Sequence, residues 1–360
     1  MGLLALLLVC AGVALAALAA FGLRVHSHRS KRRAQLPRPV PFAGGAETGA
    51  MADAPGSGGA APRDASDLSA SGLAPELDPA TLGSYRLERA LGRGSMGMVY
   101  LAHDAQRAVA IKTMVLGREL DPADLAEARA RFSREAATVG RLRHRDIVEV
   151  FDAGEDQGLA YIAMEFVPGG DLSHRTAVEQ LLPVPQVLRI VARVAMALAH
   201  AHTQGVVHRD VKPANVMYEP VSQTLKVTDF GIASLADAFS TRTGLVLGTP
   251  SYMAPEQLTG GRVDGRSDLY ALGVMTFQLL TGALPHRSDS ISGLLRQIVN
   301  AVAPDVRTVR PDLPEALAAV LTRALEKRPE RRYADGTSFA ADLLLIADAL
   351  DPRAPGTGVG

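Results

Sequence analysis

With 360 residues, about 47% of them hydrophobic, the chain has room for one sizeable folded domain or two modest ones. Its 38 basic and 38 acidic side chains cancel, which argues against a general nucleic-acid binder, a class that is usually clearly basic. The single cysteine, Cys10, excludes both a disulfide framework and a cysteine zinc site.

Gly2 to Leu23 carries no charged side chain and is dominated by Leu, Ala and Val. At about 1.5 Å rise per residue, a helix of this length crosses a hydrocarbon core of roughly 30 Å. Arg24, Arg29, Lys31, Arg32 and Arg33 follow at once. Basic flanks stay cytoplasmic, so the reading is a single-pass anchor in the cell membrane over 1–23, embedded in lipid through residues 2–23, with the remaining chain in the cytoplasm. A cleaved signal peptide is the alternative, since Ala17-Leu18-Ala19 offers small residues, but the positive region expected before the apolar run is missing. The basic cluster sets topology. Residues 34–80 are rich in Pro, Gly, Ala and Ser without periodicity, so 24–80 reads as a basic juxtamembrane segment and flexible linker.

From Tyr85 the texture changes. Leu87 to Ile111 alternates and carries turn signals, as β-hairpins do; a helix is expected from Pro122 to Leu142 and a second β-rich stretch from Ile147 to Phe166. Beyond Pro185 the pattern is mostly amphipathic helix, for example Val187–Thr203 and Pro314–Glu326. A small β-rich lobe followed by a larger helical lobe is the α+β architecture these elements predict.

Gly92-Arg93-Gly94-Ser95-Met96-Gly97-Met98-Val99 lies between two alternating segments and therefore forms a hairpin turn. A dinucleotide fingerprint would open a helix, and a P-loop would continue into Gly-Lys-Ser/Thr; neither occurs. A turn bare of side chains lets backbone N–H groups approach phosphates, and Lys112, in Val109-Ala110-Ile111-Lys112, can neutralise them.

With that hairpin and its lysine strand, the sequence resembles the protein kinase superfamily, and the later motifs extend the resemblance. In His208-Arg209-Asp210-Val211-Lys212-Pro213-Ala214-Asn215, Asp210 supplies a carboxylate for the attacking hydroxyl, Lys212 a cation for the transferring phosphate and Asn215 an amide oxygen for magnesium. A second triplet, His144-Arg145-Asp146, lacks the lysine and asparagine and reads as a turn without catalytic role. Asp229-Phe230-Gly231, entered from Leu225-Lys226-Val227, brings a second metal ligand, Asp229.

The resemblance implies several further roles. Glu135 would pair with Lys112, with Glu127 its rival on the same helix. Glu256, in Gly248-Thr249-Pro250-Ser251-Tyr252-Met253-Ala254-Pro255-Glu256, would pair with Arg332, and Asp268 would hold the catalytic-loop backbone; both are architectural. Met164 would be the gatekeeper, with adenine bound at Glu165 to Val167. ATP would be held by Leu91, Gly92, Arg93, Gly94, Ser95, Met96, Gly97, Val99, Ala110, Lys112, Glu165 and Val167. Mg2+, with Mn2+ as an alternative, would sit on Asn215 and Asp229.

Lys212, two residues after Asp210, looks like the serine/threonine group, and the motif wording is most similar to bacterial (Hanks-type) members. Arg209 would read a phosphate on the activation loop, where Ser234, Ser240, Thr241, Thr243 and Thr249 are candidate acceptors and Thr241 and Thr243 match the spacing of autophosphorylated relatives. Solvated loop hydroxyls are the plain alternative. His174, His200 and His202 read as surface or packing residues and not as metal ligands.

The resulting expectation is a two-lobed kinase domain over 81–348, with its N-lobe at about 85–167 and its C-lobe at about 168–348, preceded by one transmembrane helix and followed by a disordered tail at 349–360. Its expected partners are ATP, protein substrates with Ser/Thr acceptors, membrane lipid, and a second copy for phosphorylation in trans, with no nucleic acid. Lys112, Asp210 and Asp229 are all present, which argues against a pseudokinase.

Overall fold

The computed structural model describes residues 81–94, 97–115, 122–230 and 250–351. The expected anchor and linker, Ser95 and Met96 of the glycine turn, and Ser234, Ser240, Thr241, Thr243 and Thr249 lie outside the described residues.

The small lobe is one antiparallel sheet. Its strands are β1 (Thr81–Leu82), β2 (Tyr85–Gly94), β3 (Gly97–His103), β4 (Ala108–Val115), β5 (Val150–Asp156) and β6 (Leu159–Glu165), in spatial order β1-β2-β3-β4-β6-β5. Strand periodicity divides the side chains of β4 between two duties. Val109 and Ile111 join Leu82, Tyr85, Leu87, Ala102, Tyr161 and Ala163 in a compact apolar cluster. Ala110 lies with Val148, Met164 and Val167, while Met114 packs with Phe132, Ala160 and Ile162. Phe132 belongs to α1 (Pro122–Val139), so that cluster seats the helix on the sheet. α1 stops three residues short of the expected Leu142, because Gly140 follows and the chain turns through Gly140 N–H to Ala136 O at 2.8 Å and Leu142 N–H to Val139 O at 3.0 Å.

The large lobe combines a three-stranded sheet, β7 (Gly170–Asp171), β8 (Val216–Glu219) and β9 (Thr224–Val227), with six described α-helices. These are α2 (Val184–Thr203), α3 (Pro255–Thr259), α4 (Gly265–Thr281), α5 (Ile291–Asn300), α6 (Glu315–Ala324) and α7 (Gly336–Leu350). α2 packs on α4 and α7 in the main core. Among the described residues α2 is the one helix long and apolar enough to cross a membrane, but Val187, Leu188, Val191, Val194 and Leu198 are buried inside the lobe. α7 runs two residues past the expected domain end at 348.

The segment that begins with the second triplet, His144-Arg145-Asp146, links the small lobe to strand β9. Ile147 forms a parallel bridge with Val227; Val148 N–H donates to Val227 O at 3.0 Å, and Val227 N–H donates to Asp146 O at 2.8 Å. The Asp146 carboxylate is buried and receives two N–H groups of Arg193 from α2. This Asp is therefore a structural anchor for the strand that leads to Asp229.

In the helical lobe Glu256 receives Arg332 Nη1 at 2.7 Å and Nη2 at 2.8 Å, and Ser267 Oγ at 2.6 Å. Burial pushes the Glu256 carboxyl up, but the hydrogen bonds from Arg332 and Ser267 outweigh it and hold the group below the usual carboxylate value. Nearby, Lys327 Nζ uses all three donors: Ile298 O at 2.8 Å, His286 Nε2 at 3.0 Å and Tyr270 Oη at 3.3 Å. Burial and then the Lys327 charge push His286 down to about 4, so it is a neutral acceptor. The unfolded chain binds a proton at the ordinary value of 6.5, so stability falls as the pH drops from 6.5 toward 4. Thermal unfolding followed across that window should lose about 2 kcal/mol more in the wild type than in His286→Gln; equal losses would remove His286 from the account.

Candidate active site

Between the lobes lies a cavity of about 610 Å³. Leu91, Gly92, Val99 and Ala110 line it from the sheet, Met164 to Gly170 from the connection between lobes, and Met217, Thr228 and Asp229 from below. Apolar side chains form its inner part, where Ala110, Val148, Met164 and Val167 cluster with Val99 and Met217 against them. Leu91, Gly92, Val99, Ala110, Lys112, Glu165 and Val167, named from the sequence as nucleotide contacts, all line this cavity. Arg93, Gly94 and Gly97 occupy the ends of the hairpin strands, and Arg93 and Gly97 do not line the cavity.

Lys112 is 8% exposed and projects its ammonium to Asp229 Oδ2 at 2.8 Å. Glu135, the expected partner of Lys112, receives Arg131 Nε at 3.0 Å one helical turn away. The close carboxylate partner of the Lys112 ammonium in this conformation is Asp229.

Below the cavity the loop 208–215 is held by its backbone. Asp268, on the first turn of α4 and 1% exposed, accepts His208 N–H and Arg209 N–H at 2.8 Å each. Its Oδ2 also meets His202 Nε2 at 2.8 Å. Arg209 has φ +68°, a left-handed conformation that costs a non-glycine residue about 1–3 kcal/mol unless its surroundings enforce it. His208 is fully buried and bridges two segments. Its Nε2–H donates to Thr228 O at 2.8 Å, leaving Nδ1 to accept Asp210 N–H at 3.3 Å. Its ring also packs on Phe230 at 4.5 Å between centroids.

Asp210 Oδ2 meets Lys212 Nζ at 2.7 Å and Asn215 Nδ2 at 3.0 Å. Asn215 Nδ2 donates to Asp210 O as well, at 2.7 Å, so the amide nitrogen is spent inside the loop and the amide oxygen is left for another ligand. Asn215 O then accepts Thr228 N–H at 2.9 Å, and the next residue, Asp229, adopts φ +64°. The carboxylates of Asp210 and Asp229 and the amide of Asn215 are thus fixed relative to one another through one continuous set of hydrogen bonds. Hard oxygen donors of this kind suit a small divalent cation such as Mg2+.

Sequence reasoning passed over several cavity residues: Val148, Asp171, His174, Met217 and Thr228. Met217 carried a usable signal, because strand alternation buries Val216 and Tyr218 and leaves Met217 on the cavity side. Val148 sits in irregular chain and His174 in a single short 3-10 turn, Leu172–Arg175, and neither is long enough for a period to report orientation. Lys226, on β9, reaches Glu165 Oε2 at 2.7 Å and braces the connection between lobes. Of the three histidines weighed as metal ligands, His202 serves Asp268, His200 packs beside the His144 ring, and His174 lines the cavity. No metal-binding group of three His, Cys, Asp or Glu occurs among the described residues.

Residues 85–343 match the family model described as protein kinase domain. Serine/threonine-protein kinase pkn3 of Myxococcus xanthus is 41% identical over 73% of the chain, and PrkC of Bacillus subtilis is 37% identical over 74%. The chain spans half of the first and 41% of the second. The crystal structure of the Mycobacterium tuberculosis PknI kinase domain is 38% identical, with a TM-score of 0.61, over 77% of this chain and 99% of that one.

If Asp268 holds the loop in this way, Asp268→Asn should lose at least one of the two backbone bonds and destabilise the protein by about 3 kcal/mol. Denaturant unfolding of the full chain checks this, and an unchanged midpoint would contradict it.

Proposed function

The chain belongs to the protein kinase domain family, and from that premise we propose that it transfers the γ-phosphoryl group of ATP to serine and threonine hydroxyls of proteins. The observation that carries this reading is Lys112 and Asp229 in contact on the wall of one cavity with an apolar inner half, with Asp210, Lys212 and Asn215 bonded to one another in the loop that Asn215 O ties to Thr228, the residue before Asp229.

Adenine fits the apolar part between Ala110, Val99, Met164 and Met217, against the backbone of Glu165 to Val167. Lys112 neutralises phosphate oxygens at the open end. Asp210 orients the acceptor hydroxyl and takes up its proton, while Lys212 beside it offsets charge on the transferring group. Asn215 through its amide oxygen, together with Asp229, is the donor set for Mg2+, which supplies charge neutralisation along the phosphate chain when bound. Lys112 and Asp229 make contact with each other, so nucleotide phosphates compete for the same ammonium. Glu135, on α1, is the carboxylate we assign to Lys112 in the transfer-competent form, which requires a shift of that helix.

Regulation and location form part of the same reading. Residues 2–23 anchor the chain in the cell membrane with the catalytic lobes inside, and 24–80 is the linker. The exposed Arg209 receives a phosphate on Thr241 or Thr243, placed there by a second copy. The apolar run Gly2–Leu23 and the basic residues after it support the first part; the position of Arg209 beside Asp210 supports the second.

Full-length protein incubated with labelled ATP and Mg2+ should label serine and threonine, and Asp210→Asn should lower the rate by about 10²–10⁴-fold. A wild type that folds and binds ATP but transfers nothing would overturn the assignment. Changing Thr241 and Thr243 together to Ala should reduce activity toward an added protein substrate by about tenfold or more; full activity in that variant would remove the phosphorylation step.

A further inference from the structure

The glycine hairpin and Lys112 have to meet the same phosphate chain, so something must fix one against the other. The β3–β4 ladder runs in register from His103 opposite Ala108 to Val99 opposite Lys112 and stops there. One position further on, the Thr113 side chain takes over. Its hydroxyl donates to Met98 O at 3.1 Å and accepts Met98 N–H at 3.3 Å, using both functions of the group on one backbone unit. Thr113 is 5% exposed, so water competes poorly for these bonds.

The same residue contacts the hairpin a second time. A Cβ built on Gly97 would come within 1.9 Å of Thr113 O, so the last glycine of the turn is pressed directly onto this carbonyl. No other residue fits at 97. The returning arm of the hairpin is thus held at two adjacent points, Gly97 and Met98, by the residue that follows Lys112.

We propose that Thr113 is a positioning residue for the nucleotide: its hydroxyl fixes the glycine hairpin relative to Lys112, so that hairpin N–H groups and the ammonium converge on one phosphate chain. This rests on reading the cavity as an ATP site. Thr113 does not touch the nucleotide. Valine has nearly the same shape but leaves Met98 N–H and C=O without their partner, whereas serine keeps the hydroxyl. A hairpin freed in this way spends binding energy on being ordered again whenever nucleotide enters.

The test uses the full chain with Thr113→Val, Thr113→Ala and Thr113→Ser, each followed in two ways. Phosphate transfer at varied ATP should show KM for ATP raised about tenfold in the Val and Ala variants, with a smaller change in kcat. The Ser variant should stay within about twofold of wild type. Amide hydrogen exchange should speed up at residues 97–99 in Val and Ala but not in Ser. The pairing of Val with Ala guards against a single variant that misfolds, since Ala removes the hydroxyl without adding bulk. An unchanged KM for ATP in both, or a loss of kcat at constant KM, would overturn the proposal. A wild type without transfer would overturn the ATP reading instead, and the exchange measurement would still decide whether the clamp exists.

Discussion

Asp268 accepts the N–H groups of His208 and Arg209 from a position buried near the start of α4, and most of the candidate site hangs on that pair of bonds. Arg209 is in a left-handed conformation that a non-glycine residue adopts only where its surroundings enforce it. The enforcement comes from a helix with almost no freedom to move: α4 is buried along nearly all its length, capped by Asp264 at one end and closed by Gly282 in the left-handed region at the other. The kink in turn aims Asp210 outward, and His208, locked between Thr228 O and Asp210 N–H, transmits the same frame to the strand that carries Asp229. A rigid apolar helix thereby sets the position of polar groups it never touches.

Three ammonium–carboxylate pairs lie on or beside the cavity wall: Lys112 with Asp229, Lys212 with Asp210, Lys226 with Glu165. Pairing keeps these ammonium and carboxylate groups from standing alone in a partly dehydrated cleft, where an uncompensated charge is costly. The three pairs differ in what they can yield. Lys226 and Glu165 join strand β9 to the connection between lobes and act as a brace. Lys112 and Asp229 lie on the cavity wall, where arriving phosphates and a cation would divide them between two new partners.

The two-lobed plan was legible because its periods are strong and its order unambiguous. Alternation around Val109–Lys112 located β4, and the apolar pattern of Val187–Thr203 located α2 to within three residues of its start. Motif residues close in sequence, such as Asp210, Lys212 and Asn215, could be grouped from spacing, since a single short loop brings them together. The partner of Lys112 could not be read in this way. That the ammonium meets Asp229 depends on how elements 117 residues apart in sequence pack together, which no local pattern encodes. The role of Asp146 was hidden for a related reason: its partner, Arg193, lies on a helix far along the chain. Thr113 was invisible because threonine in a strand is ordinary, and only the three-dimensional register shows its hydroxyl replacing a ladder bond.

α7 closes the helical lobe along α2, and its beginning is unusually close: a Cβ on Gly336 would come within 2.1 Å of Ala195 O. Its far end still contributes, with Ile346 and Ala347 buried and Asp348 meeting Arg189 of α2 at 2.9 Å. A fragment cut at about residue 343 would keep every catalytic motif and yet strip the last turns from α2, baring a strip of aliphatic surface in water. Such a fragment should be sticky and short-lived in solution although nothing near its active centre has been altered, and its failure would be easily mistaken for a catalytic defect.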